Sequence, residues 1–518
     1  MESIRLAKFR NHAQRCFESA ESTNEQAFLE GKAEASEKYV FPNQSDDAKR
    51  ILMCFFNDRK LRAVIVQKLT KVGALGLIYE LLMRLSTHPD DEFVVPYNNL
   101  YVLTGMSNSN WQQDITDCAP SCFKKNMLHR AQFNKIDEET LKNIQNAVII
   151  IDEIDTGDKP DQMLHSLLER TGLMDIEEML RRNVRFVLIS ATALKHIHGM
   201  HFWGEYHKAI QMTIPNSYVG HKDFKERGIL REYYPMKTNE AVRKWIQEDI
   251  LENYHDDYRI HLVRLDKKNT QMIQRACEEN GIKFVQKNSE STLSNKEFKA
   301  LFENRTRHVV LAVKGMMRRA DLIPNEYKYA VGAVMERYTK NPDYNVLMQG
   351  LVGRMTGYWR EKLDSGHKTG PYRLHITAVD EYIKAYEDPL GDHRYQCSGY
   401  RRNIRTGDLE VDLPTLISPD CVRNLPNVEP ALKIATKPRL MWSTTDSGFR
   451  SFASLDDALQ FAHKTLKLSK TTKLIKNMQK MPKEGAFYKS NLPLPGVFTE
   501  EDVLSFLRTN KLGTMLPI

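Results

Sequence analysis

The chain has 518 residues, 41% of them hydrophobic and 27% charged, which excludes a disordered or fibrous protein and predicts about three domains. The formal net charge is +8, and residues 430–518 carry 14 basic against 7 acidic residues, so almost all of the excess lies at that end. A basic end on a nearly neutral body favours a polyanionic partner, of which nucleic acid is the first candidate.

The distribution of apolar residues and cysteines argues against a membrane or secreted protein. No stretch approaches about 18 uninterrupted apolar residues, and residues 1–16 lack the apolar segment of a secretory signal. The 7 cysteines are an odd number scattered along the chain, as expected of reduced thiols. The sequence therefore predicts an intracellular protein without a membrane partner.

In chain order, residues 1–40 are predicted to form a charged helical segment, because Glu, Ala, Gln and Arg are frequent there. From residue 41, short β-branched runs alternate with amphipathic stretches that predict helices over 75–85 and 162–182. Buried parallel strands read as continuous apolar runs, so this alternation predicts a first parallel-sheet domain over residues 41–215. The predicted strands are 63–67, 100–105, 147–151 and 185–190.

The alternation begins again after residue 215 and predicts a second α/β domain over residues 216–385, with a helix over 269–280. Two tandem α/β domains suit a ligand held at the carboxyl ends of the strands. The predicted strands of this second unit are 260–265, 282–286, 308–313, 329–336 and 372–379.

Residues 386–518 are predicted to form a small, basic carboxyl-terminal domain of helical or α/β type. A strand over 437–442 and helices over 455–466 and 500–511 are expected there. Six lysines between residues 464 and 480 recur every three or four positions, which places most of them along one broad helix face. Contact with nucleic acid and a merely solvated face are both open interpretations of that spacing.

The strongest local signal is the pair Asp152 and Glu153, at the carboxyl end of the predicted strand 147–151. A nucleotide hydrolase places there one carboxylate that holds Mg²⁺ and a second that activates water. An acidic turn after a buried strand is the plainer interpretation. Ser190 and Thr192 close the next apolar run, and although small hydroxyl residues also make turns, two such signals at successive strand ends favour a shared site.

A third candidate lies in the second unit, where the string QGLVGR over 349–354 contains Gln349 and Arg354. A glutamine and an arginine at an interdomain surface can reach the γ-phosphate of a nucleotide bound by the first unit. An arginine delivered there stabilises transition-state charge. The string is weak evidence by itself and gains weight from the order of the other motifs.

Taken in order, these motifs resemble those of superfamily 2 helicases of the DEAD/DEAH type over roughly residues 41–360. The string DEID is similar to the DExD/H box and SAT to the coupling motif. The QxxxGRxxGY form of 349–358 is closest to helicase-like proteins of large phages and viruses. The resemblance implies tandem RecA-like domains, ATP and Mg²⁺ as cofactors, and DNA or RNA as partner.

The resemblance also implies residue roles. Asp152 would hold Mg²⁺, Glu153 would orient the attacking water, and Gln349 and Arg354 would complete the catalytic set. The implied nucleotide-binding residues are Gln44, Lys71, Gly73, Ala74 and Leu75. The implied nucleic-acid and coupling residues are Thr104, Ser190, Thr192, Lys314 and Arg318.

The phosphate loop departs most from the family pattern. The expected string is G-x-x-x-x-G-K-[ST], in which the lysine reaches the phosphates and the hydroxyl binds Mg²⁺. Residues 68–75 read KLTKVGAL, so Gly73 matches while Ala74 and Leu75 replace the lysine and the hydroxyl. Loss of one preorganised electrostatic group costs about 10²–10³-fold in rate. Lys71 and Lys68 remain as candidates to reach the phosphates.

Two hypotheses follow from this mixture of retained and lost motifs. The first is an ATP-dependent nucleic-acid helicase or translocase. The second is a helicase-like scaffold or clamp that holds DNA or RNA through phosphates without catalysis. An unrelated α/β enzyme is a third, weaker interpretation. A protein partner in a replication, repair or transcription complex is expected in either helicase-like case, in the host cytoplasm or nucleus if the protein is viral.

Overall fold

The computed structural model describes most of the chain up to residue 402 and three short segments beyond it. The predicted helices 455–466 and 500–511, the lysines between 464 and 480, and Arg318 lie outside the described residues. The described residues are 2–29, 40–107, 109–157, 162–199, 205–255, 257–266, 269–288, 295–303, 305–315, 317, 323–402, 409–411, 441–444 and 448–451.

The first half of the chain forms one parallel sheet. Its strands are β1 (Ala63–Gln67), β2 (Leu100–Thr104), β3 (Met127–His129), β4 (Ala147–Asp152), β5 (Val184–Ser190) and β6 (His207–Gln211). They pair in the order β3-β2-β4-β5-β1-β6, and every pairing is parallel. Val64 and Val66 of β1 pack into one apolar core, while Ala63 and Ile65 pack into another. The alternation shows that this sheet is covered on both faces, as its continuous apolar runs predict.

The second half forms another parallel sheet of six strands. They are β7 (Leu230–Glu232), β8 (Ile260–Arg264), β9 (Lys283–Lys287), β10 (Val309–Val313), β11 (Val331–Met335) and β12 (Tyr372–Leu374). Their order is β7-β12-β11-β8-β10-β9, again with parallel pairings only. The expected fold class, two parallel-sheet α/β units in tandem, is confirmed. We refer to residues 40–211 as the first lobe and to residues 221–387 as the second.

Helices connect most of the strands. Those up to the end of the first lobe are α1 (Glu2–Leu29), α2 (Pro42–Asn57), α3 (Ala74–Ser86), α4 (Ser109–Cys118), α5 (Glu138–Asn143), α6 (Met163–Arg170), α7 (Ile176–Arg182) and α8 (Leu194–Gly199). The second lobe contains α9 (His221–Glu226), α10 (Asn239–Lys244), α11 (Glu252–Tyr254), α12 (Thr270–Glu279), α13 (Asn295–Glu303), α14 (Tyr344–Met348), α15 (Leu351–Arg354), α16 (Arg360–Asp364) and α17 (Ile376–Glu387). A π-helical segment, Trp245–Leu251, joins α10 to α11.

Two expectations for single elements are wrong. The helix predicted over 162–182 is broken into α6 and α7, because Gly172 has a left-handed backbone (φ 68°) and Asp175 caps the backbone N–H groups of Glu177 and Glu178. The strand predicted over 372–379 is β12 followed by α17, whose first N–H, that of Ile376, donates to a Glu232 carboxylate oxygen at 2.9 Å.

Three strands of the two parallel sheets have no counterpart among the predicted ones. β3 and β7 have three residues each, too few for a recognisable apolar run. β6 lies at the edge of the first sheet and has a polar, partly exposed sequence, HKAIQ. A prediction based on buried apolar runs therefore misses short strands and edge strands.

Beyond α17 the described strands are β13 (Gln396–Cys397), β14 (Tyr400–Arg402) and β15 (Leu409–Val411), and then β16 (Met441–Thr444) and β17 (Gly448–Ser451). The first three form one small antiparallel sheet and the last two form another. The limits 1–40, 41–215, 216–385 and 386–518 for four domains stay a proposal. No described helix combines the length and the apolar character needed to span a membrane.

Candidate functional site

Three neighbouring strands of the first sheet bring the predicted residues to one edge. β1 leads into the loop of residues 68–73, β4 ends at Asp152, and β5 ends at Ser190. β5 lies between β1 and β4. Because the carboxyl ends of parallel strands meet at the same edge of a sheet, the residues that follow these strands are brought together.

The loop of residues 68–73 has left-handed backbone conformations at Lys71, with φ 62°, and at Gly73, with φ 95°. Gln44 Nε2 donates to the Gly73 carbonyl at 2.6 Å, and the Phe41 backbone N–H donates to Gln44 Oε1 at 3.0 Å. The left-handed φ favours glycine at position 73, and a Cβ there would lie 2.5 Å from Gln44 Nε2, so the Gln44 side chain would have to shift. Both ends of the Gln44 amide are thus engaged with the backbone.

Helix α3 begins with Ala74 and Leu75, where the resemblance expects a lysine and a hydroxyl. Ala74 is buried, and both side chains belong to or pack against the apolar core of the first lobe. Neither side chain can donate or accept a hydrogen bond. The helix therefore begins without a cation or a hydroxyl of its own.

Lys68, at the other end of the loop, supplies a cation. Its Nζ donates to Glu153 Oε1 at 2.9 Å and lies 3.6 Å from Asp152 Oδ1, and all three side chains are buried. The indole Nε1 of Trp111 donates to Asp152 Oδ2 at 2.9 Å. Groups of the protein therefore hold this carboxylate pair from two sides.

Burial and charge act in opposite directions on these residues. Burial alone would lower the pKa of Lys68, but the charges of Asp152 and Glu153 and the hydrogen bond to Glu153 together raise that pKa above its usual value. Burial raises the pKa of Asp152, while the Lys68 charge and the Trp111 hydrogen bond oppose that effect. Lys68 is therefore expected to be positively charged at neutral pH.

The residues at this edge do not fit Mg²⁺, the ion that the resemblance assigns to Asp152. Mg²⁺ demands near-octahedral oxygen ligands. Leu75 offers no oxygen, Lys68 contacts both carboxylates, and Trp111 holds the second oxygen of Asp152. In the part of the chain that the structure describes, no group of three or more His, Cys, Asp or Glu side chains is arranged to hold a metal ion.

Asp155, to which the sequence interpretation gave no role, connects two of the strand ends. Ser190 Oγ donates to Asp155 Oδ1 at 2.8 Å, and Thr192 Oγ1 donates to Asp155 Oδ2 at 2.7 Å. The Thr192 backbone N–H donates to Ser190 Oγ at 3.0 Å. The turn after β4 is therefore tied to the turn after β5. The signal in the sequence that could have indicated this role is the position of Asp155 as the last residue of the DEID string.

Gln349 reaches this site from the second lobe. Its Nε2 donates to Thr192 Oγ1 at 2.8 Å and lies 3.4 Å from Glu153 Oε2. Its Oε1 is buried and accepts no hydrogen bond from any described residue. Gln349 thus contacts both the hydroxyl network and the carboxylate pair, and it presents one unused acceptor between the lobes.

Arg354 is buried five residues beyond Gln349, in α15, and belongs to a group of basic residues between the lobes. Burial and then the Arg354 charge lower the pKa of Lys71 well below its usual value. The same two causes lower the pKa of Lys328 to about 7 and that of His221 to about 3. A buried group of basic residues is a favourable environment for an anion.

Hydroxyl groups on or beyond the linker that follows β6 donate to the carbonyls of the loop. Tyr218 Oη and Thr356 Oγ1 donate to the Thr70 carbonyl at 2.6 and 2.7 Å, and Tyr358 Oη donates to the Val72 carbonyl at 2.7 Å. The Tyr358 ring also stacks on Phe41, with centroids 5.0 Å apart. The loop is therefore bound by both lobes at once.

Of the predicted nucleic-acid and coupling residues, Ser190 and Thr192 belong to this network, and Thr104 is the register partner of Asp152 on the neighbouring strand β2. Thr104 is fully buried at the end of β2, where its Oγ1 accepts from the Met106 backbone N–H at 3.3 Å. Lys314 is exposed directly after β10. Arg318 lies outside the described residues. The roles assigned to these three stay predictions.

No protein-family model matches the chain, and no curated protein matches it. Solved structures do resemble it. Mss116p bound to ssRNA and AMP-PNP is 11% identical with a TM-score of 0.44, covering 85% of this chain and 84% of that one. A variant of S. cerevisiae Dbp5 bound to a variant of Gle1 and IP6 is 12% identical with a TM-score of 0.38, covering 69% and 92%.

A third similar structure is a DEAD box protein from the hyperthermophile Methanococcus jannaschii. It is 14% identical with a TM-score of 0.33, covering 67% of this chain and 95% of that one. At these values the likenesses carry no argument about activity, and the site must be interpreted from its own contacts. What the chain itself presents is a pair of parallel-sheet lobes that share one polar network, with a basic loop between them.

Proposed function

We propose that this chain is a superfamily 2 helicase-like protein that clamps DNA or RNA between and beside its two lobes, and that it does not turn over ATP efficiently. The observation that carries the proposal is the position of Gln349, a second-lobe residue bonded to Thr192 and within 3.4 Å of Glu153 in the first lobe. A polar network shared in this way makes the relative position of the lobes depend on whatever binds at the strand ends.

The loss of efficient turnover is inferred from three positions. Ala74 and Leu75 begin α3 without a cation or a hydroxyl, and Lys68 holds the carboxylates that would bind metal and orient water. Phosphoryl transfer relies almost entirely on positioned charges, so each missing group lowers the rate. ATP remains a proposed ligand of the cleft, because basic groups gather there around Lys71 and Arg354.

An ATP-dependent helicase or translocase is the second candidate, favoured by the residues that are retained. Asp152, Glu153, Gln349 and Arg354 all lie at the interface of the lobes, and Ser190 and Thr192 share Asp155. That candidate requires Lys68 to leave the carboxylates so that Asp152 would hold Mg²⁺, while Glu153 would orient water and Arg354 would stabilise transition-state charge. Closeness to helicase-like proteins of phages and viruses, an intracellular location and a protein partner belong to this proposal as well.

ATP turnover with and without single- and double-stranded nucleic acid distinguishes the two candidates. We expect turnover at background in the wild type, together with measurable nucleic-acid binding. Robust turnover that Glu153→Gln abolishes would sink the clamp interpretation and establish the helicase. A variant that combines Ala74→Lys and Leu75→Thr tests the cause directly, because any turnover it gains must come from those two positions.

Salt dependence tests where nucleic acid is held. The excess basic charge lies beyond residue 430, so the logarithm of the affinity should fall linearly with the logarithm of the salt concentration. A chain that ends near residue 430 should bind more weakly and with a shallower salt slope. If the shortened chain keeps the full affinity and slope, the lobes alone hold the nucleic acid.

A further inference from the structure

The most unusual pairing in the molecule is that of Lys68 with the carboxylates at the end of β4. We propose that the Lys68 ammonium is a resident cation that takes the place of a divalent metal ion at Asp152 and Glu153. The cleft beside it then receives the phosphates of a nucleotide without magnesium. The choice of a nucleotide as the anion rests on the proposed function, whereas the replacement of the metal does not.

The geometry argues for replacement because the ammonium contacts both carboxylates. Nζ of Lys68 is 2.9 Å from Glu153 Oε1 and 3.6 Å from Asp152 Oδ1. Magnesium binds oxygen at about 2.0–2.1 Å, so an ion that shared these two oxygens would lie within about 5 Å of the ammonium. Two cations so close in a buried site repel each other strongly, and only one of them can be the resident charge.

The surroundings of the pair complete the argument. Asp152 uses its second oxygen to accept from the Trp111 indole, and the amide nitrogen of Gln349 is turned toward Glu153. Both neighbours offer donors, which suit carboxylates but repel a metal ion. Leu75 stands where a hydroxyl ligand is expected and contributes none. The site is thus supplied with hydrogen-bond donors where a metal site would need further acceptors.

An anion next to Lys68 would meet further basic side chains of the protein itself. Lys71 lies in the same loop, where burial and then the charges of Arg354 and Lys328 from the second lobe lower its pKa. Lys328 Nζ donates to two neutral oxygens, Asn325 Oδ1 and the Thr356 carbonyl, each at 2.6 Å. Phosphates bound here would be neutralised by side chains, which is the task that magnesium performs elsewhere.

The first experiment measures Mn²⁺ binding to the full chain by electron paramagnetic resonance, without nucleotide or nucleic acid. Mn²⁺ is the probe because it prefers carboxylate ligands. The wild type should bind no Mn²⁺ at this site. Lys68→Met should gain one site per chain, and adding Asp152→Asn should remove it. Lys142→Met is the matched control, because Lys142 pairs with an exposed carboxylate, that of Glu139, at 2.7 Å; it should gain nothing.

Two outcomes overturn the proposal. One is a wild-type Mn²⁺ site that Asp152→Asn abolishes, because the metal and Lys68 would then coexist. The other is a folded Lys68→Met variant that binds no Mn²⁺, because the carboxylates would then be no metal site even when free. Thermal unfolding is an independent test of whether Lys68 takes the place of a metal ion. Mn²⁺ should raise the Tm of Lys68→Met and leave that of the wild type unchanged.

A second experiment needs only the wild type and so decides the matter even if Lys68→Met does not fold. The affinity for ATP is measured by calorimetry in excess magnesium and in EDTA. Equal affinities support the proposal; a loss of affinity in EDTA overturns it, and so does an absence of binding in both. Nucleic-acid binding is measured on the same samples. If the samples bind no nucleic acid, only the proposed clamp function is refuted, because the Mn²⁺ result does not depend on nucleic-acid binding.

Discussion

The two sheets use the same edge in opposite ways. In the first lobe, the charged groups that follow β1 and β4, Lys68 and the pair Asp152 and Glu153, face the second lobe. In the second lobe, the charged groups at the ends of β8 and β11, Arg264 and Glu336, bind each other and are buried. The edge of the first sheet presents charged groups to the second lobe, whereas the charged groups at the edge of the second sheet pair with each other.

The internal pair nevertheless serves the shared site. Glu336 Oε2 accepts from the Leu351 backbone N–H at 2.8 Å, which is the first N–H of α15. Arg264 in turn donates to the Met317 carbonyl at 3.1 Å. The pair therefore fixes the start of the helix that carries Arg354 and follows Gln349. The first lobe thus supplies the charged edge, while the second supplies a rigid support for the side chains of Gln349 and Arg354.

The largest expected effect is on this support. Arg264→Met leaves Glu336 as an uncompensated buried charge, so the free energy of unfolding should fall by about 3–5 kcal/mol. Denaturant unfolding measures it. Arg227→Met is the control, because Arg227 pairs with Asp364 on the surface and should cost less than about 1 kcal/mol. Equal losses in the two variants would mean that the buried pair gives no special support.

The second prediction concerns pH and the start of the second lobe. Burial, followed by the nearby Arg354 charge, lowers the pKa of His221 to about 3, and its Nε2 has no hydrogen-bond partner among the described residues. Between pH 3 and about 6.5 the unfolded chain binds a proton at His221 that the folded chain does not, so stability falls as the pH falls through this range.

From pH 6.5 to pH 5 the free energy of unfolding should fall by about 2 kcal/mol because of this residue, at about 1.4 kcal/mol for each pH unit. His221→Phe keeps the ring contacts with Phe224 and Tyr382 and should remove that part of the pH dependence. Urea unfolding at several pH values measures it, with His367→Gln, at an exposed histidine, as the control. An unchanged pH profile in His221→Phe would contradict the prediction.

The third prediction addresses the contact between the two regions. Tyr358→Phe removes the hydroxyl that donates to the Val72 carbonyl but keeps the stack on Phe41, so it should cost about 1 kcal/mol. Tyr358→Ala also removes the stack and should cost about 1 kcal/mol more. Tyr338→Phe, at a partly exposed tyrosine of the second lobe, is the control for thermal unfolding. No loss in either Tyr358 variant would show that the loop does not depend on its contact with Tyr358.

The smallest effect is expected at the surface of the second lobe, between α9 and α17. Lys222 and Glu387 form an ion pair of 2.7 Å, and both side chains are largely exposed. Lys222→Met should change the free energy of unfolding by less than about 1 kcal/mol, with the difference disappearing at high salt. A larger or salt-independent loss would indicate that this exposed pair contributes more to the stability of the second lobe than a surface ion pair should.

Buried strands could be predicted from the sequence because a strand covered on both faces is apolar at every position. β1, β4 and β5 satisfy that condition, and their ends carried the candidate residues. The partner of Lys68 could not be predicted in the same way. Its contact with Glu153 joins residues 85 positions apart and depends on the order of the strands, which no local pattern records. Trp111 escaped for the same reason, since α4 reaches Asp152 only in the folded chain.

The Trp111 indole has a practical consequence. Its N–H lies against a carboxylate whose charge is balanced by Lys68, so the electric field at the ring depends on the state of that pair. Indole emission shifts with the local field. In a chain that holds 5 tryptophans, a variant retaining only Trp111 would make the site optically visible. Any change of charge at the end of β4 could then be followed as a shift of the indole emission, in real time and without a label.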